Sequence, residues 1–370
     1  MIYFVVNNNY QYLEAARLAA EMEGMPCRLI AFPHTLALPA DQQVFESVIV
    51  LETPAGQPWL KAWQDYLTIG GRLRKVLAPA AEDVLVLFTE FELLNHLTAI
   101  QFKRAGARVY LIEDGGVGSY IPLALEQPEA FSTKDRVYAG MIRAIPGLLH
   151  THFTKFDGVV CPLLADRFID GVLLYRNVAI RRKIPVMLVA RPVASRVEVA
   201  AGRVVFLNQP FYSEHIQSEE AYTDGLHKIM TALCDGFPEV FFKFHPREPK
   251  EARDAIARDV LAAFPKVTIL NGNGPFESML AQLRPEAVAS YNSTPLFNLV
   301  ATGVQPMFVY SLLPDLRGLP SFRTMHELLE AWHYRFPSSW SELRTGFSAG
   351  TGFNSAASGR PLSDVLTTTP

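Results

Sequence analysis

Three short clusters in this 370-residue chain carry residue types that move protons and hold charge. Glu113 and Asp114 stand side by side in "ARVYLIEDGGVGSY", followed at once by Gly115 and Gly116. Neighbouring carboxylates raise one another's pKa, as general-base work requires. His245-Pro246 ends the run "EVFFKFHPREP", with Lys243 and Arg247 on either side. An imidazole in a cationic neighbourhood suits a phosphate, to which it gives a proton or a hydrogen bond. Ser293 and Thr294 precede Pro295 in "AVASYNSTPLFNLVATG". A hydroxyl cap, a proline at the first helical position and a closing Gly303 predict a short helix over 295–302, whose free N–H groups form an anion site. Each cluster also has a plainer reading: an acidic turn, a surface histidine, an ordinary capped helix.

The glycines after Asp114 raise the question of a phosphate loop. A Walker loop needs GxxxxGK followed by Ser or Thr, and no lysine follows here. A dinucleotide fingerprint needs GxGxxG, yet Ile121 stands where its third small residue belongs. No helix is expected after the glycines either, since Pro122 and 126–135 read as loop. The glycines are therefore read as freeing a sharp turn that presents Glu113 and Asp114 at a strand's carboxyl end.

The elements that position these clusters are legible as a rhythm. Runs rich in β-branched and aromatic residues predict strands at "IYFVV", "CRLIAF", "SVIVLE", "DVLVLF" and "ARVYLI". Helical spacing marks "YLEAARLAAEME" and "ELLNHLTAIQFKRAG", the latter closed by Lys103, Arg104 and Gly106. The second half repeats the pattern, with strands "RVVFLN", "EVFFKF", "KVTIL", "AVASY" and "QPMFVY" and helices near 219–235, 250–263, 275–283 and 295–302. Alternating strands and helices predict parallel α/β sheets, and the length predicts two domains. The boundary is placed near 190–203, giving a domain over 1–195, a second over 196–345 and a small, polar, flexible tail over 346–370. Ligands of open α/β sheets bind beyond the carboxyl ends of the strands. All three clusters fall at such ends.

Composition excludes several classes. The net charge of −3 argues against nucleic acid as a partner. Cys27, Cys161 and Cys234 lie far apart and form no CxxC, so neither a disulfide framework nor a zinc knuckle is expected. His150 and His152 are a candidate metal pair without a third ligand nearby, and no metal is expected. "MIYFVVNNNYQY" reads as a first strand, not a signal peptide. The longest apolar region, "LFNLVATGVQPMFVYSLL", is too interrupted to span a membrane. A cytoplasmic protein is expected. "GGRLRK" at 70–75 and "YRNVAIRRK" at 175–183 are the candidate patches for peripheral contact with an inner membrane, and their plainer reading is solvated helix ends.

The ordered set of Glu113-Asp114-Gly115, His245-Pro246 and Ser293-Thr294 resembles the bacterial sialyltransferases of the GT-B type, which include capsule polysialyltransferases and lipooligosaccharide sialyltransferases. Those families share a D/E-D/E-G motif, an HP motif and a Ser-Ser/Thr motif. "VVFLNQPFYSE" also looks like their segment at this place, with Asn208-Gln209-Pro210 where Gly-Gln-Pro is common. The resemblance spans about 1–335.

The resemblance implies a GT-B fold, two Rossmann-like domains facing across a cleft. It implies an inverting, metal-independent transferase without cofactor, moving sialic acid or a related nonulosonic acid from a CMP-sugar to a glycan or glycolipid acceptor in bacterial capsule or lipooligosaccharide synthesis. The donor belongs to the second domain and the acceptor to the first. The base lies in the Glu113-Asp114 pair. Analogy points to Glu113, with Asp114 orienting the loop, while the sequence leaves the choice open. His245, Ser293, Thr294 and the helix N-terminus would stabilise the departing phosphate, with Pro246 in the donor set as the residue that fixes the chain's exit; Lys243 and Arg247 either assist or are solvated. Gly272, Asn273 and Gly274 lie in a loop whose backbone is placed to meet cytosine, and Glu277 is a candidate for the ribose hydroxyls. Asn208 and Gln209 join the donor set. Asn7, Asn8, Asn9, Gly115 and Gly116 are candidates for donor or acceptor contact. Rival readings are a transferase using another CMP-keto-sugar (pseudaminic, legionaminic or Kdo type) or a UDP/GDP hexose, a nucleotide-sugar epimerase of the same architecture, and a non-catalytic glycan-assembly subunit.

Overall fold

Strand β1 (Ile2–Asn8) is buried almost throughout, as its unbroken apolar run requires of a central strand in a parallel sheet. The computed structural model describes residues 1–22, 24–36, 38, 43–53, 59–190, 196–214, 216–271, 274, 276–299, 302–345 and 359–368. The chain divides into two units. One holds Met1–Asp114, Gly118–Arg191 and Ala356–Pro370; the other holds Gly115–Val117 and Pro192–Ser355.

In the first unit β1 is followed by α1 (Asn9–Glu21), β2 (Cys27–Thr35), β3 (Ser47–Val50), α2 (Trp59–Val76), β4 (Val84–Leu87), α3 (Leu93–Arg104) and β5 (Arg108–Ile112). A turn of π-helix over Gly116–Tyr120 then leads into α4 (Ile121–Ala124), α5 (Thr133–Arg143), β6 (His152–Phe156), β7 (Val159–Leu163), β8 (Gly171–Leu174) and β9 (Val186–Leu188). Seven strands form one sheet in the order β3-β2-β1-β4-β5-β8-β9. All its pairings are parallel. Strands β6 and β7 make a separate antiparallel hairpin. The order reverses between β1 and β4, and such a switch point is where open α/β sheets bind ligands.

The second unit contains β10 (Ala200–Leu207), α6 (Glu219–Gly236), β11 (Glu239–Lys243), α7 (Lys250–Asp259), β12 (Val267–Ile269), α8 (Leu280–Leu283), β13 (Pro285–Ser290), α9 (Thr294–Asn298), β14 (Gln305–Phe308), α10 (Pro314–Arg317), α11 (Pro320–Ala331) and α12 (Trp340–Thr345). Its sheet runs β12-β11-β10-β13-β14, again wholly parallel. Read in chain order this is 3-2-1-4-5, the mononucleotide-binding pattern, with its switch point beside β10.

Local signals set the helix ends. Asn8 caps α1, its side chain accepting from the Gln11 N–H at 2.9 Å. Ser132 and Asp135 form a reciprocal capping box on α5. Ser218 caps α6, whose first turn carries Glu219 and Glu220 toward the positive end of the helix dipole. Gly106, at φ +85°, ends the α3 turn as its sequence predicts.

Three expectations differ from the structure. A helix does begin after the glycines, because Pro122 sits in the first turn of α4, where the missing N–H would have no partner anyway. The expected flexible tail over 346–370 is not one throughout. Residues 346–358 lie outside the described residues, but Arg360 bridges Val189, and Leu362–Thr368 forms helix α13. Leu362, Val365 and Leu366, on one helical face, are buried in the core that also holds Phe4, Tyr12 and Leu18. The patch at 175–183 is not a free basic surface either: Arg176 pairs with Glu113, Arg181 with Glu126, and Arg182 with Glu90 and Asp166. Arg72, Arg74 and Lys75 are exposed near the end of α2. Among the described residues no helix is long and apolar enough to cross a membrane.

Candidate functional site

In the first unit the acidic pair divides into two unlike carboxylates. Glu113 is 2% exposed. It accepts from the Arg176 guanidinium at 2.8 Å, from the Tyr175 N–H at 2.9 Å, and from the Tyr120 hydroxyl. This is a buried ion pair with its remaining lone pairs satisfied, the condition under which such a pair is held. Burial, and then the Glu113 charge, push the Tyr120 hydroxyl well above its ordinary pKa, so it remains a donor.

Asp114 is different. Its surface is only partly covered, but its surroundings are dense. Its backbone N–H donates to Ser119 Oγ at 2.5 Å, and its Oδ2 accepts from Gln11 Nε2 at 2.6 Å. Desolvation pushes the carboxyl up to about 7, against the lowering effect of the Gln11 bond; the charges of Glu14 and Glu113 add to the rise. A carboxylate poised there exchanges protons at neutral pH. Gly115 follows at φ +88°, a conformation glycine adopts without the penalty of a Cβ.

Gln11 is the residue that sequence reasoning missed. It is 1% exposed, and while its Nε2 donates to Asp114, its Oε1 accepts from the Asn7 N–H at 2.7 Å. It thus ties the end of β1 to the residue after β5. No local pattern announces it, because its partner lies 103 residues away. The three asparagines beside it build the scaffold. Asn7 pairs through its side-chain amide with Asn95, whose Nδ2 donates to Asn7 Oδ1 at 3.0 Å. Asn8 caps α1, and Asn9 is the first residue of that helix. A second buried acid, Glu14, accepts from the Tyr175 hydroxyl at 2.5 Å and pairs with Arg17.

The histidine pair at 150–152 lines a cavity of about 500 Å³ with Arg143, Asp166 and Arg167. Thr151 between them turns inward, 3.1 Å from Nδ1 of His96. Burial holds the His96 imidazole down to about 4. Among the described residues no group of three or more His, Cys, Asp or Glu is placed to hold a metal ion.

In the second unit the remaining candidates share the carboxyl edge of one sheet. His245 follows β11 on one side of β10, and Ser293-Thr294 follow β13 on the other. His245 Nδ1 accepts from the Arg247 N–H at 3.2 Å. Burial, then the charges of Arg247, Arg253 and Lys243, hold the imidazole down to about 3, so it is neutral at pH 7. A neutral ring whose Nδ1 accepts carries its proton on Nε2. Pro246 and Arg247 are exposed, and Arg247 pairs with Glu214 at 3.2 Å. Lys243 is 5% exposed, and burial depresses its ammonium pKa.

Ser293 is the N-cap of α9, but its side chain makes no capping hydrogen bond. Pro295 is in the first turn as predicted. The helix ends at Asn298, short of the expected 302, so few peptide dipoles add behind the two hydroxyls. Glu277 Oε1 accepts from Asn298 Nδ2 at 2.9 Å, joining the 276–279 turn to α9. Gly274 is exposed, whereas Gly272 and Asn273 lie outside the described residues.

Asn208 is engaged on both ends of its amide. Its Oδ1 accepts from the Tyr222 hydroxyl at 2.9 Å and its Nδ2 donates to Glu248 Oε2 at 2.8 Å. Its N–H also donates to the Lys243 carbonyl at 2.9 Å. It therefore supports the loop after β11, where the sequence suggested donor contact. Gln209 beside it is half-buried. Glu248 is a further residue missed from sequence: 3% exposed, with burial pushing its carboxyl up to about 7.

The sequence profile of the alpha-2,8-polysialyltransferase family matches residues 3–302. A comparison with curated proteins returns no significant match. Among solved structures, the UDP-GlcNAc 2-epimerase from Methanocaldococcus jannaschii superposes with a TM-score of 0.51 at 10% identity, over 94% of this chain and 93% of that one. The GT-B domain of a sialyltransferase from Photobacterium damselae superposes with a TM-score of 0.46 at 10% identity, over 89% of this chain and 97% of that one. Two Rossmann-like parallel sheets in one chain and the first of these likenesses identify the fold class as GT-B.

Proposed function

The chain belongs to the alpha-2,8-polysialyltransferase family and is a sialyltransferase-like glycosyltransferase; from that premise we propose that it moves sialic acid or a related nonulosonic acid from a CMP-activated donor to a glycan hydroxyl, with inversion and without a metal, in the synthesis of a bacterial surface polysaccharide. The observation that carries the reading is the division of labour in the acidic pair. Glu113 is committed to Arg176, while Asp114 keeps a carboxyl raised to about 7.

In this reading Asp114, and not Glu113, is the base. The acceptor hydroxyl bonds to the anomeric carbon as its proton passes to Asp114. The bond from that carbon to the phosphate oxygen breaks, and CMP leaves carrying the electron pair. Charge growing on the phosphate meets the Nε2–H of His245 and the hydroxyls of Ser293 and Thr294. Glu113 holds the strand end rigid, and Gln11 holds Asp114. The donor is assigned to the second unit and the acceptor to the first. The acceptor is assigned to the glycan or glycolipid class, and a glycolipid acceptor would place the work peripherally at an inner membrane.

The test is mass spectrometry of products from a panel of CMP-sugars against sialylated and neutral acceptors, with Asp114→Asn, Glu113→Gln and His245→Ala beside the wild type. Asp114→Asn is expected to abolish transfer with the fold intact, and CMP, unlike UDP or GDP, to raise the melting temperature. Near-normal turnover by Asp114→Asn overturns its role. Stabilisation by UDP, with conversion of a nucleotide sugar in the absence of acceptor, would mark an epimerase instead.

A further inference from the structure

The loop between β11 and α7 is held by one side chain that no sequence motif includes. Arg253, in the opening turns of α7, donates from Nε to the Glu248 carbonyl at 2.9 Å. Its Nη2 donates to the carbonyls of His245 at 3.2 Å and Pro246 at 3.1 Å. One planar guanidinium thus gathers three of the four carbonyls between His245 and Glu248, and its fork gives a rigidity that a lysine ammonium lacks. Its Cζ lies 5.9 Å from the centre of the Phe244 ring, within reach of a cation–π contact. Opposite, the Glu248 N–H closes the turn on the His245 carbonyl at 3.0 Å, and the Glu248 carboxylate is anchored through Asn208 to Tyr222.

We propose that Arg253 is a positioning residue for His245: by gathering these carbonyls it fixes the turn in which the Arg247 N–H meets Nδ1, and so keeps the imidazole proton on Nε2. The loop has no regular secondary structure to hold its carbonyls, and unpaired backbone groups under a packed loop are unfavourable. Removing the fork leaves the turn held by the Glu248 N–H alone on the His245 carbonyl side, and the Nδ1 contact at 3.2 Å is already long. The charges facing the imidazole are Lys243 on β11, Arg247 on the loop and Arg253 on α7. Glu214 pairs with Arg247, and Glu248 turns away toward Asn208.

The proposal rests on the reading of His245 as the donor to the leaving phosphate, but its test does not. The full chain is labelled with ¹⁵N-histidine, and His245→Gln identifies the resonance among the nine histidines. In the wild type the Nδ1 shift is that of an unprotonated nitrogen, and the ring stays neutral into the acid range. Arg253→Lys keeps a cation without the fork: the ring still resists protonation, but Nδ1 moves toward the averaged shift of mixed tautomers. Arg253→Met loses both, so the ring also titrates closer to its ordinary range. With a CMP-sugar and acceptor, Arg253→Lys is expected to lose about tenfold in kcat with donor KM little changed, as for a group displaced by a fraction of an ångström. A single, wild-type Nε2–H tautomer in Arg253→Lys overturns the proposal. If Arg253→Met does not fold, the lysine variant alone decides. A shifted tautomer with unchanged transfer supports the clamp and instead removes His245 from the reaction.

Discussion

Gln11→Met should move the pH dependence of transfer without breaking the protein. The substitution keeps the side chain's length and removes the 2.6 Å hydrogen bond to Asp114. A hydrogen bond to a charged group contributes about 1.5–3 kcal/mol, and about 1.4 kcal/mol corresponds to one pKa unit, so the Asp114 carboxyl should rise by about one to two units. The sign follows from the mechanism: the base must be ionised, so the acid limb of the rate profile moves to higher pH. From a starting value of about 7, the ionised fraction at pH 7 falls from about a half to between about a tenth and a hundredth, a loss of about five- to fiftyfold in kcat. At pH 9 most of that loss should be recovered. The Asn7 N–H also loses its partner at 2.7 Å, which lowers stability by about 1–3 kcal/mol and is followed separately by thermal melting. The assay is initial-rate transfer between pH 5.5 and 9.5. A loss that is equal at every pH, or an acid limb that stays in place, refutes the assignment of Asp114 as the base held by Gln11.

Arg176→Met should lower stability in urea unfolding by about 3 kcal/mol, because it strands the Glu113 charge in the interior, and adding Glu113→Gln should restore much of it. Asp114→Asn should melt higher than the wild type at pH 8 and close to it at pH 4. The folded-state pKa of Asp114 is raised, so its ionisation removes stability as pH climbs from about 4 to about 7, and the amide is spared that loss. Leu366→Ala, at 1% exposure, should cost about 2–5 kcal/mol in the same unfolding assay, whereas a free tail would give no change.

The strands were readable because each is a dense run of β-branched and aromatic side chains, as in "VVFLN" and "EVFFKF", and the clusters were readable because they follow such runs. What was hidden depends on partners far apart in the chain. Gln11 looks like any residue near a helix start, and its meaning comes from Asp114. Arg176 reads as part of a basic patch until Glu113, 63 residues earlier, is seen beneath it. Asn208 has the look of a ligand contact, but Tyr222 and Glu248 claim its amide. Helix α2 is obscured in the sequence by Gly70-Gly71, two poor helix formers in its interior. Helix α13 did leave a trace, since Leu362, Val365 and Leu366 repeat at three and four residues in an otherwise polar stretch.

That last helix bears on how the protein comes to be made. The first unit begins with Met1 but takes its final piece of core from Leu362, Val365 and Leu366. During synthesis its sheet has all seven strands once Leu188 has left the ribosome, while the apolar surface that α13 covers stays open through about 170 further residues, which at usual rates of synthesis is on the order of ten seconds or more. The nascent first unit therefore exposes that apolar surface until α13 docks. Removal of α13 would be expected to harm the unit that was made first.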